Sequence, residues 1–390
     1  MKLVFNHQNL RALLLVAFAM VVTIGTTSAD NPFSTRQNAI ENGSLEFTRT
    51  ITKDFPINSD GTVSLANKYG KVEVKTWDKS RVKIEVTIVV KAKSESNANE
   101  IFDRIDIDFT NSSDYVSAET RIEPQKSSWF DWSGSDKAEF QINYEVFMPV
   151  SCALSLRNKY GDSFVEPIAG KTSVDIKYGN IRLEGVDNSL DIVLGYGNGT
   201  VVKARNINAD LGYGKLNVSD AEDISLVSKY SKISIDKADL ITGESKYDNI
   251  LLGKVDKMNL QAKYGDVEIR EAEDLNASAR YTDFKVHELD NSAVFELQYG
   301  GLYVEKLAKG FSTVDLKGKY TDFKIYVEPG ANYVLDASTN YAGIAYPAGL
   351  NVTYEKDKGT SQAVKGHVGT SGARSVIRAN LEYGGLKVRQ

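Results

Sequence analysis

Apolar residues fall on every second position for short runs along most of this chain; a Tyr then interrupts, and the alternation resumes. VDIKYGNIRLEG (174–185) and LQAKYGDVEIRE (260–271) show the pattern, and NKYGKVEVKTWD (67–78) is an early copy. Alternation with period two marks a strand with one buried face. Apolar pairs stand three and five residues after the Tyr, among them Ile181 and Leu183, Leu216 and Val218, Ile250 and Leu252, and Val267 and Ile269. Alternate positions before the Tyr are apolar or small, as at Val174 and Ile176 or Phe295 and Leu297.

The interruptions are periodic. They fall at Tyr160, Tyr178, Tyr196, Tyr213, Tyr230, Tyr247, Tyr264, Tyr281, Tyr299, Tyr320, Tyr341 and Tyr383, in steps of 17 or 18 as far as Tyr299 and then of 21, 21 and 42. The last step has room for two units of 21 with the middle Tyr lost, and Tyr69 stands apart upstream. A unit this short holds two strands and cannot bury its apolar face alone, so copies must stack to make a core. The expected fold is all-β: a single-stranded parallel β-helix, or solenoid, with coils of 17–21 residues and the Tyr side chains superposed as a ladder. The rival is an antiparallel meander or barrel, but hairpins need no common period. Gly follows most of these Tyr residues and permits a bend. Ser231, Asp248, Thr282, Thr321 and Ala342 take its place elsewhere, so the bend is not expected to depend throughout on positive φ.

Upstream the strands are longer: 81–93, 101–110, 116–124 and 137–149, separated by loops rich in Ser, Asn and Asp. They predict a cap or small sheet, which would cover the otherwise open edge of the first coil, and 30–150 is expected as an N-terminal β region made of that first coil and the capping strands. The regular solenoid is expected over 151–350, and 351–390 as a polar, Gly-rich loop (351–375) leading to a C-terminal coil. The first 29 residues combine a basic start, the 14-residue apolar run ALLLVAFAMVVTIG and TTSA, which predicts a signal peptide cleaved after Ala29. An uncleaved anchor is the alternative, for which the run is short. The expected location is the periplasm or outer surface of a bacterium.

Charge and chemistry narrow the functional classes. The net charge of −5 becomes −7 once Lys2 and Arg11 leave with the leader, which speaks against nucleic acid as a partner. Cys152 is the only Cys, so no internal disulfide forms, and SCALSL reads as a small side chain packed in a strand. His287 and His367 lack zinc-ligand spacing, and no nucleophile, phosphate-binding or dinucleotide motif occurs. No catalytic residue, metal or cofactor is assigned. Lys68, Lys159, Lys177, Lys229, Lys246 and Lys263 precede their Tyr and form a basic stripe, readable as solvated surface or as a contact for acidic glycans. The loop PQKSSWFDWSGSDK (124–137) carries Trp129, Phe130 and Trp132 with Lys126 and Lys137, a candidate binding patch unless the rings fold over the sheet edge. Trp77 closes a strand and is expected to pack.

SLANKYGKVEVKTWDKSRVKIEV (64–86), the stretch 139–186 and the repeated Tyr-Gly strands resemble the bacterial putative adhesin family, also described as the auto-transporter adhesin head (GIN) domain. The phrase stands at Tyr69–Gly70, Tyr160–Gly161, Tyr178–Gly179, Tyr196–Gly197, Tyr213–Gly214 and Tyr264–Gly265, and is departed from at Tyr230, Tyr247, Tyr281, Tyr320 and Tyr341. The resemblance implies a parallel β-helix on an exported protein and supplies no catalytic residues. The reading is an exported, non-enzymatic solenoid with an adhesin-like binding or scaffold role, its partner a cell-surface glycan or an envelope protein. The alternatives are a polysaccharide-cleaving β-helix enzyme, whose carboxylates would have to converge in a groove, and a purely structural envelope protein.

Overall fold

The alternating segments form strands because each can bury one face. RVKIEVTIVVKA is the plainest case: Arg81–Ala92 buries Val82, Ile84, Val86, Ile88, Val90 and Ala92 and exposes or half-exposes the rest. It pairs antiparallel with Leu45–Pro56 on one side and with Glu139–Pro149 on the other. Thr35–Ala39 adds a further antiparallel strand to Leu45–Pro56. The computed structural model describes residues 35–39, 44–124 and 139–390. Residues 33–390 form one unit, and among the described residues its strands join in one large, open β-sheet.

The stretch expected as a strand over 101–110 is divided. Glu95–Phe102 is a short helix, and the strand runs Ile105–Asn111. Ser94 caps the helix by accepting from the Asn97 amide, and Ala98 and Phe102, four residues apart, share its buried side. A helical period hidden in a polar stretch gave way to the alternation that follows it.

The repeated units pair in parallel. Thr172–Lys177 lies between Ala153–Lys159 and Val186–Gly195, each offset by 18 residues. From Asn198 onward the offset is 17: Asn198 pairs with Lys215, Lys215 with Lys232 and Lys232 with Asn249. It becomes 18 at Asp283 with Gly301 and 21 at Gly301 with Asp322. Hairpin pairing of consecutive units is therefore absent over this stretch. The apolar pairs after each Tyr are buried, from Ile181 and Leu183 to Leu386 and Val388. Asn249–Gln298 is continuously extended over 50 residues, yet it turns at Tyr264 and Tyr281, where φ is 60° and 53°.

Three placements differ from sequence order or expectation. The strand Thr62–Lys68 pairs in parallel with Ala153–Lys159, so the isolated Tyr69 unit belongs to the stack although 91 residues separate the paired positions. The 42-residue step does not hold two units. Ser375–Glu382 instead runs between Thr313–Lys319 and Tyr333–Asn340, parallel to both, so the end of the chain lies inside the stack. The expected loop over 351–375 is largely a hairpin: Leu350–Asp357 pairs antiparallel with Ser361–Val368, turning at Gly359 with φ 68°. Ser361–Val368 pairs with Tyr333–Asn340 on the side away from the inserted strand. A stack whose last unit is followed by more chain can cover its edge with that chain, and this hairpin does so.

Candidate functional site

Among the described residues, every non-glycine residue with positive φ is one of thirteen tyrosines, with values from 52° to 62°. They are Tyr69 and the twelve repeat positions. The expectation that the bend does not depend throughout on positive φ is thus corrected: it does, and Tyr itself carries it. The Gly that follows serves close approach instead. A Cβ on Gly161 would lie 1.9 Å from the Gly70 carbonyl oxygen, and one on Gly197 would lie 1.9 Å from that of Gly179. Where Ser or Thr replaces it, the hydroxyl is buried and bonds back two residues: Ser231 Oγ to the Lys229 carbonyl at 2.9 Å, and Thr282 Oγ1 and Thr321 Oγ1 to those of Arg280 and Lys319 at 3.1 Å.

The left-handed corner turns each ring outward, and the unit spacing then stacks the rings. Tyr69 stacks on Tyr160, Tyr160 on Tyr178, and so on to Tyr320, with centroids 4.8–5.2 Å apart. The order then departs from the sequence: Tyr320 stacks on Tyr383 at 4.8 Å, and Tyr383 on Tyr341 at 4.7 Å. The edge of Phe140 meets the Tyr69 ring at 5.5 Å. Each corner is tied to the next through the backbone, as where the Tyr160 amide donates to Lys177 O and the Tyr247 amide to Lys263 O. Ring faces are largely covered by neighbouring rings, while the residues as a whole remain 39% (Tyr383) to 59% (Tyr341) exposed.

Beside the middle of this ladder runs a groove of about 1000 Å³, lined by Tyr196, Tyr213, Tyr230, Tyr247 and Tyr264 and by the row Asn198, Lys215, Lys232, Asn249 and Asp266. Its floor includes Gly197, Gly214 and Gly265, with Ser231 and the buried Asp248 between them. Asp248 accepts from Ser228 Oγ (2.6 Å), Ser245 Oγ (2.7 Å) and the amides of Ser231 (2.7 Å) and Lys246 (3.0 Å). These bonds satisfy a carboxylate that would otherwise be costly to bury. At the N-terminal end of the same row, Asp162 Oδ1 accepts from Asn180 Nδ2 at 2.9 Å, and Asn180 Oδ1 from Asn198 Nδ2 at 2.7 Å, so these residues form a side-chain ladder of their own.

Of the basic stripe, Lys159 sits over the Tyr160 ring at 4.7 Å, Lys177 lies 3.8 Å from Asp175, and Lys319 pairs with Glu382 at 3.0 Å. Two carboxylates converge on His287, which bonds Glu305 through Nδ1 and Glu268 through Nε2, both at 2.7 Å, with Lys285 3.3–3.5 Å from the same two groups. The His287 hydrogen bonds, and the Lys285 charge, hold both carboxyls below their ordinary range. A hydrolytic acid/base pair needs environments that push its two members apart; here both are pushed the same way. Among the described residues no group of three or more His, Cys, Asp or Glu side chains is disposed to hold a metal, and no helix is long and apolar enough to cross a membrane. Cys152 is buried, donates to the Asn58 carbonyl at 3.3 Å, and burial pushes its thiol up, away from the reactive thiolate. Trp77 stacks on Phe147 at 5.4 Å and donates to the Arg81 carbonyl at 2.8 Å.

Lys126, Trp129, Phe130, Trp132, Lys137 and the leader over 1–29 lie outside the described residues. Interior polar groups escaped the sequence reading. Asn67 and Asn158, two residues before Tyr69 and Tyr160, point inward and bond corner carbonyls: Asn67 Nδ2 that of Ile142 at 2.8 Å, and Asn158 Nδ2 those of Gly70 and Gly161 at 3.0 Å. The shared phrase Asn-Lys-Tyr-Gly was their signal.

No family model matches the chain, and no curated protein does. Among solved structures the chain is similar to a "putative adhesin" from Parabacteroides distasonis ATCC 8503, at 11% identity and a TM-score of 0.34, over 65% of this chain and 93% of that one. It is similar to a "putative adhesin" from Parabacteroides merdae ATCC 43184, at 9% identity and a TM-score of 0.33, over 66% and 93%. A "putative lipid binding protein" from Parabacteroides distasonis ATCC 8503 follows, at 12% identity and a TM-score of 0.33, over 66% and 94%.

Proposed function

We propose that this chain is an exported, non-enzymatic β-solenoid that binds an extended glycan at the bacterial envelope, in an adhesin-like role. The observation that carries the reading is the ladder-side groove, in which five half-exposed tyrosines and a polar row repeat at one spacing. A repeating ligand meets the same donors and acceptors in each unit, so weak contacts add along its length. Phenolic hydroxyls, amides and Lys side chains suit a hydroxyl-rich polymer. Ring faces, which sugar stacking would use, are covered by neighbouring rings.

The solenoid reading rests on parallel pairing at a near-constant offset and on the superposed rings. In it, 30–150 supplies the first coil, at Tyr69, and the capping strands, 151–350 the regular coils and 351–390 the loop and C-terminal coil. Export rests on the leader over 1–29. Trp129, Phe130 and Trp132, with Lys126 and Lys137, are proposed as a second contact, because exposed aromatic area favours association when buried.

The deciding experiment is a broad glycan panel scored for binding and for turnover with the mature chain. Binding without turnover, lost when Tyr213, Tyr230 and Tyr247 become Ser, is the expected result. Turnover abolished by removing one carboxylate would establish the enzyme instead.

A further inference from the structure

The corners of the stack differ from one another at every position but one. The Gly after the corner gives way to Ser231, Asp248, Thr282, Thr321 and Ala342, and the residue before it is Lys, Gly, Arg, Gln, Asn or Glu. The corner itself is Tyr all thirteen times. Neither the bend nor the stack asks for a phenol. Positive φ is easiest for Gly and Asn, and Phe stacks with the same ring. Solvent exposure does not ask for one either, since the exposed rows on both sides of the ladder vary freely between charged, amide and Gly residues. What Tyr adds over all of these is a ring that can be oxidised by one electron.

The thirteen phenols are in unbroken contact. All twelve successive ring pairs have centroids 4.7–5.2 Å apart and planes within 15° of parallel. At one strand spacing per step the ladder reaches about 58 Å. The fold keeps the contact where chain order would break it, because the returning strand sets Tyr383 between Tyr320 and Tyr341. One end is closed: beyond Tyr69 stands Phe140, which has no phenol to oxidise. The other end is Tyr341, the most exposed of the thirteen. Among the described residues no Trp ring stacks on the ladder to divert a radical from it; Trp77 stacks on Phe147 instead.

We propose that the ladder is a radical relay: it accepts a one-electron oxidation from an external oxidant of the peroxyl-radical or peroxidase class and carries it along the stack. The oxidant takes one electron and is reduced by it; the phenol releases its proton to solvent, which leaves a neutral tyrosyl radical. In each hop the next phenol gives an electron to that radical and a proton to water, and the radical's oxygen takes up a proton from water and becomes a phenol again. Atoms and charge balance, and only the position of the radical changes. Donor and product are the same chemical species, so a hop is close to isoenergetic. Ring contact makes it fast, because electron transfer falls steeply with distance. The relay uses the covered ring faces that sugar stacking cannot reach, so it stands apart from the glycan reading.

The test fixes a ruthenium polypyridyl photo-oxidant to Asn180→Cys, an exposed position two residues after Tyr178; Cys152 is buried and stays in place. The mature chain is flash-oxidised with persulfate as the terminal electron acceptor and a nitroso spin trap in solution, and the trapped tyrosines are located by peptide mass spectrometry. Adducts are expected on Tyr320, Tyr383 and Tyr341, at the far end of the stack from the photo-oxidant. In the variant carrying Tyr281→Phe and Tyr299→Phe, adducts on those three rings should be lost while those from Tyr196 to Tyr264 persist. Phe keeps the ring, so the stack and the Tm are expected to be retained, and both positions lie outside the groove lining. Adducts confined to the rings beside the photo-oxidant in the chain with all thirteen tyrosines overturn the relay. Adducts at the far end that are as abundant in the double variant overturn it too. So does equal trapping on an isotope-marked chain without ruthenium in the same solution, which would mean that the radical travels between molecules.

Discussion

Tyr at a positive φ is the defining residue-scale choice. A left-handed conformation costs an L-residue ~1–2 kcal/mol, and an aromatic pair returns ~0.5–1.5 kcal/mol beyond burial, so stacking roughly offsets the strain of each corner. Two substitutions at Tyr230 separate these contributions. Ala keeps the strain and loses both stacks, whereas Gly loses the stacks and the strain together. Urea denaturation is therefore expected to show Tyr230→Ala less stable than Tyr230→Gly by about 1 kcal/mol; the reverse order would place the ladder's value elsewhere. A second residue-scale expectation concerns Tyr333, whose buried hydroxyl has no partner and whose pKa burial pushes up to about 12. Tyr333→Phe removes an unsatisfied group without opening a cavity, so it should raise stability by about 1 kcal/mol. A loss would mean that the hydroxyl has a donor or acceptor in solution.

Among elements, the buried pairs after each Tyr decide whether units stay stacked. Val267→Asp puts an unpaired carboxylate between Ile250 and Phe284 in the buried row, and we expect a loss of 3 kcal/mol or more, roughly, read as a large fall in Tm. The His287 network lies on the outer face, and its expected effect is pH dependence. Folding lowers the pKa of Glu268 and Glu305 from an ordinary 4.5, so their contribution is present above that pH and is lost as pH falls through the lowered values. The variant with both Glu residues changed to Gln should be less stable than wild type at pH 6, and the difference should shrink progressively below pH 4.5. A difference that grows in acid would contradict the linkage. The effect is modest because these groups are solvent-exposed and screened.

The whole molecule is not a simple string of neighbours. Through the middle of the stack each unit contacts those one period away, as in a repeat protein. At the C-terminal end the chain goes past its neighbour, forms the Leu350–Asp357 and Ser361–Val368 hairpin, and returns to insert Ser375–Glu382 two units back. Truncation after residue 372 would remove a strand paired on both sides and the Tyr383 ring between Tyr320 and Tyr341. Limited proteolysis of that truncation should cut within 328–368 while sparing 170–300; resistance throughout would show that the two flanking units can close directly.

The alternation and the Tyr spacing determined what is local: strands with one buried face, the residues on that face, and a unit length common to consecutive copies. Those follow from side-chain direction and hydrophobic burial, which short stretches of chain contain in full. The tertiary structure decided what depends on residues far apart. It placed Tyr69 on Tyr160 and set Tyr383 between Tyr320 and Tyr341, because strand pairing is indifferent to sequence distance once the loops can reach. It moved positive φ from Gly to Tyr, since a backbone angle is fixed by the approach of the neighbouring unit, which no single unit records. It also satisfied the Asn67 side-chain carbonyl while leaving that of Asn158 without a hydrogen bond, a distinction made by Thr120, which arrives from a strand 53 residues away.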